Sequence, residues 1–147
     1  MNRINQTLVI NASPSKVYKA LSTQSGVKAW WTEHTELDEH EGGEGTFGFP
    51  DHNVKKTVTV TALKPNQQVS WKVIKHECSS PDWKGTTIDF NLEPCEGGTV
   101  LQFDHCGWPD ASPIYSTCVN GWSHFMNSLK LLLEEGKGTP FVSEARG

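Results

Sequence analysis

The chain lacks most of the short signals that announce a chemistry. Its four cysteines, Cys78, Cys95, Cys106 and Cys118, include no C-x-x-C pair, which excludes the usual zinc-ligand spacing and a dithiol redox motif. Reduced thiols are the expectation. No apolar run exceeds three residues, Leu131–Leu133 being one instance, and a membrane-crossing helix needs about 20. The opening Met1-Asn-Arg-Ile-Asn-Gln-Thr7 has neither the basic region nor the apolar stretch of a secretory signal, so a cytoplasmic protein without membrane insertion is expected. Asn5-Gln-Thr7 and Asn11-Ala-Ser13 fit the glycosylation pattern, which carries weight only in a secreted chain. Lys and Arg form no run and the net charge is −4, which argues against phosphate-driven nucleic-acid binding.

There is likewise no Gly-rich phosphate loop, no dinucleotide fingerprint and no His-Glu-x-x-His, so no cofactor, metal ligand or catalytic residue is assigned. Gly121-Trp-Ser123-His-Phe125 has the outline of a nucleophile elbow, but it lacks the closing glycine and falls inside a predicted helix. Positive charge is missing altogether between Ala29 and Val54, where Glu33, Glu36, Asp38, Glu39, Glu41, Glu44 and Asp51 accumulate. Such a segment reads as a solvated loop and edge strand kept from aggregating by charge. A weak divalent-metal site would have to draw on His34 or His40.

What is present is a folding pattern. At 147 residues the chain suits one domain that buries roughly 68–70% of its unfolded surface. We assign residues 1–147 to it, with a core over about 4–135 and a C-terminal arm over 137–147. Ile4, Gln6, Leu8 and Ile10 alternate with Asn5, Thr7, Val9 and Asn11 and predict a first strand. Ser13 and Pro14 then read as the N-cap and first residue of a helix carrying Val17, Tyr18, Ala20 and Leu21. A second helical turn is predicted around Val27 to Trp31. Six strand segments follow, at about Glu36–His40, Gly45–Phe49, Val54–Leu63, Gln68–His76, Thr86–Glu93 and Thr99–Cys106. Their separators, such as Gly42-Gly43, Pro65-Asn66 and Gly97-Gly98, are short turns, which favour an antiparallel meander. Ser112-Pro113 opens a long last helix that Gly136 stops near Glu135. Its inward stripe would comprise Tyr115, Cys118 or Val119, Trp122, Phe125, Met126, Leu129 and Leu133, with Lys130 and Glu134 outward. This helix is the only element long enough to cover the sheet.

Ile10-x-Ala12-x-Pro14-x-x-Val17-Tyr18-x-Ala20-Leu21, Trp30-Trp31, Gly42-Gly43-x-x-x-Phe47-x-Phe49 and Leu63-x-Pro65-x-x-x-Val69-x-Trp71 occur in order. They are followed by Gly85-Thr86, Thr99-x-Leu101-x-Phe103-x-His105-x-Gly107-Trp108 and Gly121-Trp122-x-x-Phe125. Over roughly residues 4–135 the chain resembles the SRPBCC, or START-like, superfamily, in the branch called Activator of heat-shock protein 90 ATPase homologue-like. The resemblance implies an α+β helix-grip (Bet v 1-like) fold: a seven-stranded antiparallel sheet wrapped around a long C-terminal helix, two short N-terminal helices, and a hydrophobic cavity between sheet and helix. Members bind lipids, sterols, plant hormones or polyketides, and some are cyclases, aromatases or hydrolases. The eukaryotic chaperone activators carry a further N-terminal domain that makes essential chaperone contacts, and 147 residues are expected to leave no room for it.

Candidate ligand-contacting residues follow from the pattern. Trp122, Phe125 and Met126 within two turns suit a wide, irregular space better than a close-packed seam. His105 shares a strand face with Leu101 and Phe103, which directs its imidazole inward; it would either meet a ligand oxygen or pin the turn before Gly107-Trp108. Trp71, Phe90, Phe103, Trp108, Trp122 and Phe125 would supply stacking walls. Trp30 and Trp31 are adjacent, so at most one is expected to face inward, leaving the other for a cavity mouth or a partner surface. Trp83 is expected in a loop, as a lid or contact residue. Cys106 and Cys118 would approach one another where the last strand meets the helix, as small buried hydrophobes. The reading is binding of a hydrophobic or aromatic small molecule by a monomer or weak homodimer. A chaperone-cofactor or protein-interaction module using Trp30-Trp31 and the acidic segment is the alternative, and a cyclase or hydrolase with His105 in an acid-base role is the second.

Overall fold

The computed structural model describes residues 2–49, 54–77, 84–108 and 115–140. The elements run β1 (Asn2–Ile10), α1 (Pro14–Ser22), α2 (Gln24–Trp30), β2 (Thr35–Leu37), β3 (Glu44–Phe49), β4 (Val54–Lys64), β5 (Gln68–Glu77), β6 (Thr87–Cys95), β7 (Gly98–Trp108) and α3 (Tyr115–Glu135). All seven strands form one antiparallel sheet in the order β1-β7-β6-β5-β4-β3-β2. The meander from β2 to β7 follows from its short turns; only β1 crosses over, to lie beside the last strand.

Local chemistry sets the helix ends. Ser13 accepts from the Lys16 amide and Pro14 occupies the first helical position, where a missing N–H costs nothing. Thr23 ends α1 and starts α2: its hydroxyl accepts from the Gly26 amide at 3.1 Å and donates to the Lys19 carbonyl at 2.7 Å. That double role starts α2 three residues earlier than the Val27–Trp31 pattern predicts. Gly26 lets the two helices touch, since a Cβ there would sit 2.7 Å from the Ala20 carbonyl oxygen. Gly136, at φ 86°, ends α3, as a left-handed glycine does without steric penalty.

Alternation decides which side of the sheet is covered. Ile4, Ile10, Phe47, Val58, Val69, Trp71, Ile88, Phe90, Leu101 and Phe103 are buried on the inner face, and α3 lays Trp122, Met126 and Leu129 against them. Cys118, Val119, Phe125 and Leu133 are only half-buried at the margin of this core, so the inward stripe is narrower than the sequence suggests. Lys130 and Glu134 face out of the core yet are anchored: the Lys130 ammonium donates to the Val9 carbonyl at 2.8 Å and Glu134 accepts from the Asn11 amide at 2.8 Å. These bonds tie the end of the edge strand β1 to the covering helix.

Residues beyond α3 turn back onto it. Gly138 is buried, and the Thr139 amide donates to the Ser128 hydroxyl at 2.7 Å. The expected helix start at Ser112-Pro113 and the loop around Trp83 lie outside the described residues.

Candidate functional site

Cross-strand neighbours share a sheet face, so the register arranges the inner face in rows. Phe103, Phe90 and Val69 form one row. Ile4, His105, Ile88, Trp71 and Val60 form the next. Val73, Val58 and Gly45 follow, with Thr86 beside Val73 through a backbone bond of 2.9 Å. The last described row is Lys56, Phe47 and Thr35. His105, Thr86, Lys56 and Thr35 set polar groups among the apolar members of these rows.

Aromatic rings fill the space above these rows. Trp71 stacks parallel to Trp31 at 6.0 Å and meets Phe90 edge-on at 5.2 Å. Phe103 lies 5.4 Å from Phe90 and 4.5 Å from Trp122, which in turn lies 5.1 Å from Trp31. Each such pair contributes about 0.5–1.5 kcal/mol beyond area burial. Trp71, Phe90, Phe103, His105 and Trp122 thus belong to one connected cluster, and Met126 is buried in the same core. Phe125 stands half-buried at its edge, 4.9 Å from the His124 ring. Trp108 ends β7 opposite Asn2; its side chain lies outside the described residues.

His105 is fully buried and both ring nitrogens are engaged. The Trp122 indole N–H donates to Nδ1 at 3.1 Å, and Nε2 lies 2.8 Å from the Thr86 hydroxyl oxygen. An indole nitrogen can only donate, so Nδ1 must accept and the ring proton resides on Nε2, directed at Thr86. This fixes the tautomer by geometry. Thr86, in the turn before β6, is a partner that no sequence pattern announces. An imidazole held in this way orients its surroundings, and acid-base work would require it to exchange one of these bonds for a ligand oxygen.

Two expectations are corrected. Trp30 and Trp31 both face inward, at 0% and 2% exposure. Trp31 is the C-cap of α2, and as the chain leaves the helix there its ring swings between Phe47, Trp71 and Trp122. Trp30 stays between the short helices, its indole N–H donating to the Ala20 carbonyl at 2.8 Å. Neither ring is available as a partner surface. Cys106 and Cys118 do not approach one another: Cys106 alternates with inward His105 onto the outer face, while Cys118 packs on α3 against the inner core. Cys95, Cys106 and Cys118 form no disulfide. Burial raises the Cys106 thiol pKa, helped by the charge of Asp104; Arg3 opposes the rise and Asp89 adds to it.

Part of the acidic segment has structural duties. Glu39 accepts from the Gln24 amide at 2.9 Å, Asp38 from the Glu44 amide at 3.1 Å, and Glu41 from the Leu63 amide at 2.9 Å. Three carboxylates thereby satisfy backbone donors at a helix start and at strand ends. Among the described residues no group of His, Cys, Asp and Glu is arranged to hold a metal ion, and no helix is long and apolar enough to cross a membrane. Among the described residues, one surface groove lies between α1, α2 and the end of α3 beside Lys16, Lys19 and Leu133, and another on the outer face around Asn91 and Gln102.

A meander closed by its first strand, with one long helix over an aromatic inner face, defines a helix-grip domain. The chain belongs to the Activator of Hsp90 ATPase homolog 1-like protein family, whose model matches residues 11–134. It is similar to the Aha1 protein of Colwellia psychrerythraea, solved in solution as a dimer, with 37% identity, 94% of this chain and 100% of that one covered, and a TM-score of 0.80. A Mesorhizobium loti protein shares the fold at 20% identity, with 91% and 98% covered and a TM-score of 0.81. One from Bacillus halodurans does so at 20% identity, with 91% and 98% covered and a TM-score of 0.73. No curated protein matches the sequence.

Proposed function

We propose that the chain binds a small hydrophobic or aromatic molecule between the inner sheet face and α3. The observation that carries this reading is the buried Thr86–His105–Trp122 hydrogen-bond chain set into an aromatic wall. A domain that only had to fill its core would be served by apolar residues, since each buried polar group must first recover its lost hydration. A few placed polar groups among aromatics are the usual make-up of a ligand site. The ligand would lie against Trp71, Phe90, Phe103, Trp122 and Met126, with Phe125 at its margin and His105 or Thr86 exchanging a bond for a ligand oxygen.

Fatty acids, sterols and flavonoid-like aromatics, screened by thermal shift and tryptophan quenching, test this directly. At least one class is expected to bind, and His105→Leu to weaken its oxygenated members by about 1–3 kcal/mol. No shift and no quenching from any class would sink the reading.

A second reading rests on the family itself and on the relative described as an Aha1 dimer. On this reading the chain pairs weakly with itself or touches a chaperone. With Trp30 and Trp31 both buried, any such contact must use another surface. Sedimentation across concentration, and chaperone ATP turnover with and without the chain, distinguish the two readings.

A further inference from the structure

Among the described residues, Lys56 is the only Lys, Arg, Asp or Glu that is buried, at 8% exposure. Its direction follows from the register. The β3–β4 pairing is continuous from Glu44 to Phe49 and sets Lys56 opposite Phe47. Phe47 is fully buried on the inner face, 4.4 Å from the Trp31 ring and 5.2 Å from Trp71. A residue paired with it therefore projects to the same side. The lysine side chain is thus directed to the aromatic inner face, in the row that holds Phe47 and Thr35.

An ammonium placed there is costly unless an anion or several acceptors compensate it. A surface position one residue away, such as exposed Lys55, would avoid that cost. Building on the small-molecule reading above, we propose that Lys56 recognises an anionic group on the ligand, so that the molecule bound is an amphiphilic acid. Its apolar or aromatic body lies along Phe103, Phe90 and Trp71 and its carboxylate, or a phenolate of similar charge, points to the Lys56 end. Such a molecule would meet apolar Phe103, the hydrogen-bonding His105 and Thr86, apolar Val73 and Val58, and then the cationic Lys56 in successive rows. Lys56 already has an interaction partner within the chain, and the incoming anion shares or displaces that contact. Charge-assisted bonds of this kind are about twice as strong as neutral ones, so they discriminate acids from their neutral isosteres.

Matched pairs make the test: 2-naphthoic acid against 2-naphthamide, and decanoic acid against decanol, titrated by calorimetry at neutral pH. The acid of at least one pair is expected to bind about tenfold tighter than its neutral partner, equivalent to about 1.4 kcal/mol. That ratio should fall to near unity in Lys56→Met and Lys56→Gln and persist in Lys56→Arg. Two substitutions of different polarity, each checked for folding by urea denaturation, keep a result available if one is unstable. Equal binding of acid and neutral forms by the unaltered chain overturns the assignment and leaves the small-molecule reading intact. An acid preference that survives both substitutions also overturns it. Binding of neither form in either pair, together with no response in the wider panel, removes the underlying reading as well.

Discussion

The indole N–H of Trp122, on the covering helix, donates to Nδ1 of His105, on the last strand, at 3.1 Å. This bond joins the two layers of the domain, helix to sheet. Both side chains are buried and their rings stand edge to face, 6.0 Å apart at 88°. Trp122→Phe keeps most of the ring volume but removes the donor, leaving a buried acceptor. A loss of about 1–3 kcal/mol is expected, measured by urea denaturation. Imidazole nitrogen shifts in the unaltered protein should report His105 as the Nε2-protonated tautomer; the opposite tautomer would contradict the hydrogen-bond scheme.

Thr86→Val is nearly isosteric and removes the hydroxyl facing His105 Nε2. It should cost about 1–3 kcal/mol for the same reason, whereas Thr86→Ser should recover most of that. Equal stability of the valine variant and the unaltered chain would show that the bond contributes nothing net.

Gly26→Ala would ordinarily strengthen a helix by about 1 kcal/mol. Here the added methyl would sit 2.7 Å from Ala20 backbone atoms and 2.8 Å from the Lys19 carbonyl oxygen, all of them backbone atoms of α1 that cannot rotate away. The overpacking cost of about 1–3 kcal/mol should win, and the melting temperature should fall.

The Cys106 thiol should alkylate slowly. Burial raises its pKa and Asp104 adds to the rise, against Arg3, so the reactive thiolate forms at higher pH than in an unhindered cysteine. Because the shift is upward in the folded state, the stability contributed by the neutral thiol is present below the unfolded pKa and fades as pH rises through the folded one. Iodoacetamide rates against pH, resolved by peptide mapping, should place Cys106 to the alkaline side of the same residue in urea. Asp104→Asn should move it part of the way back.

Ser128→Ala removes the hydroxyl that accepts from the Thr139 amide. Faster hydrogen exchange confined to residues 137–140, with α3 unchanged, is the expected outcome. A global loss of protection would mean that the returning segment is integral to the core.

Much of this was written locally in the chain. Strand alternation, the Ser13-Pro14 cap, the Gly136 stop and the turn chemistry between strands each depend on a few neighbouring residues, so the elements and their order can be read from the sequence. The inward direction of Phe103 and His105 is equally local, because a strand has a period of two. Register is not local. Nothing near Lys56 announces that it will stand opposite Phe47, nor anything near His105 that Thr86, 19 residues away in the chain, will meet its ring. The burial of both Trp30 and Trp31 depends on where a helix stops and on the rings already waiting across the sheet. Sequence alone determined a helix-grip domain with an aromatic interior; tertiary pairing decided which polar groups enter that interior, because contacts between strands depend on alignment and not on neighbours in the chain.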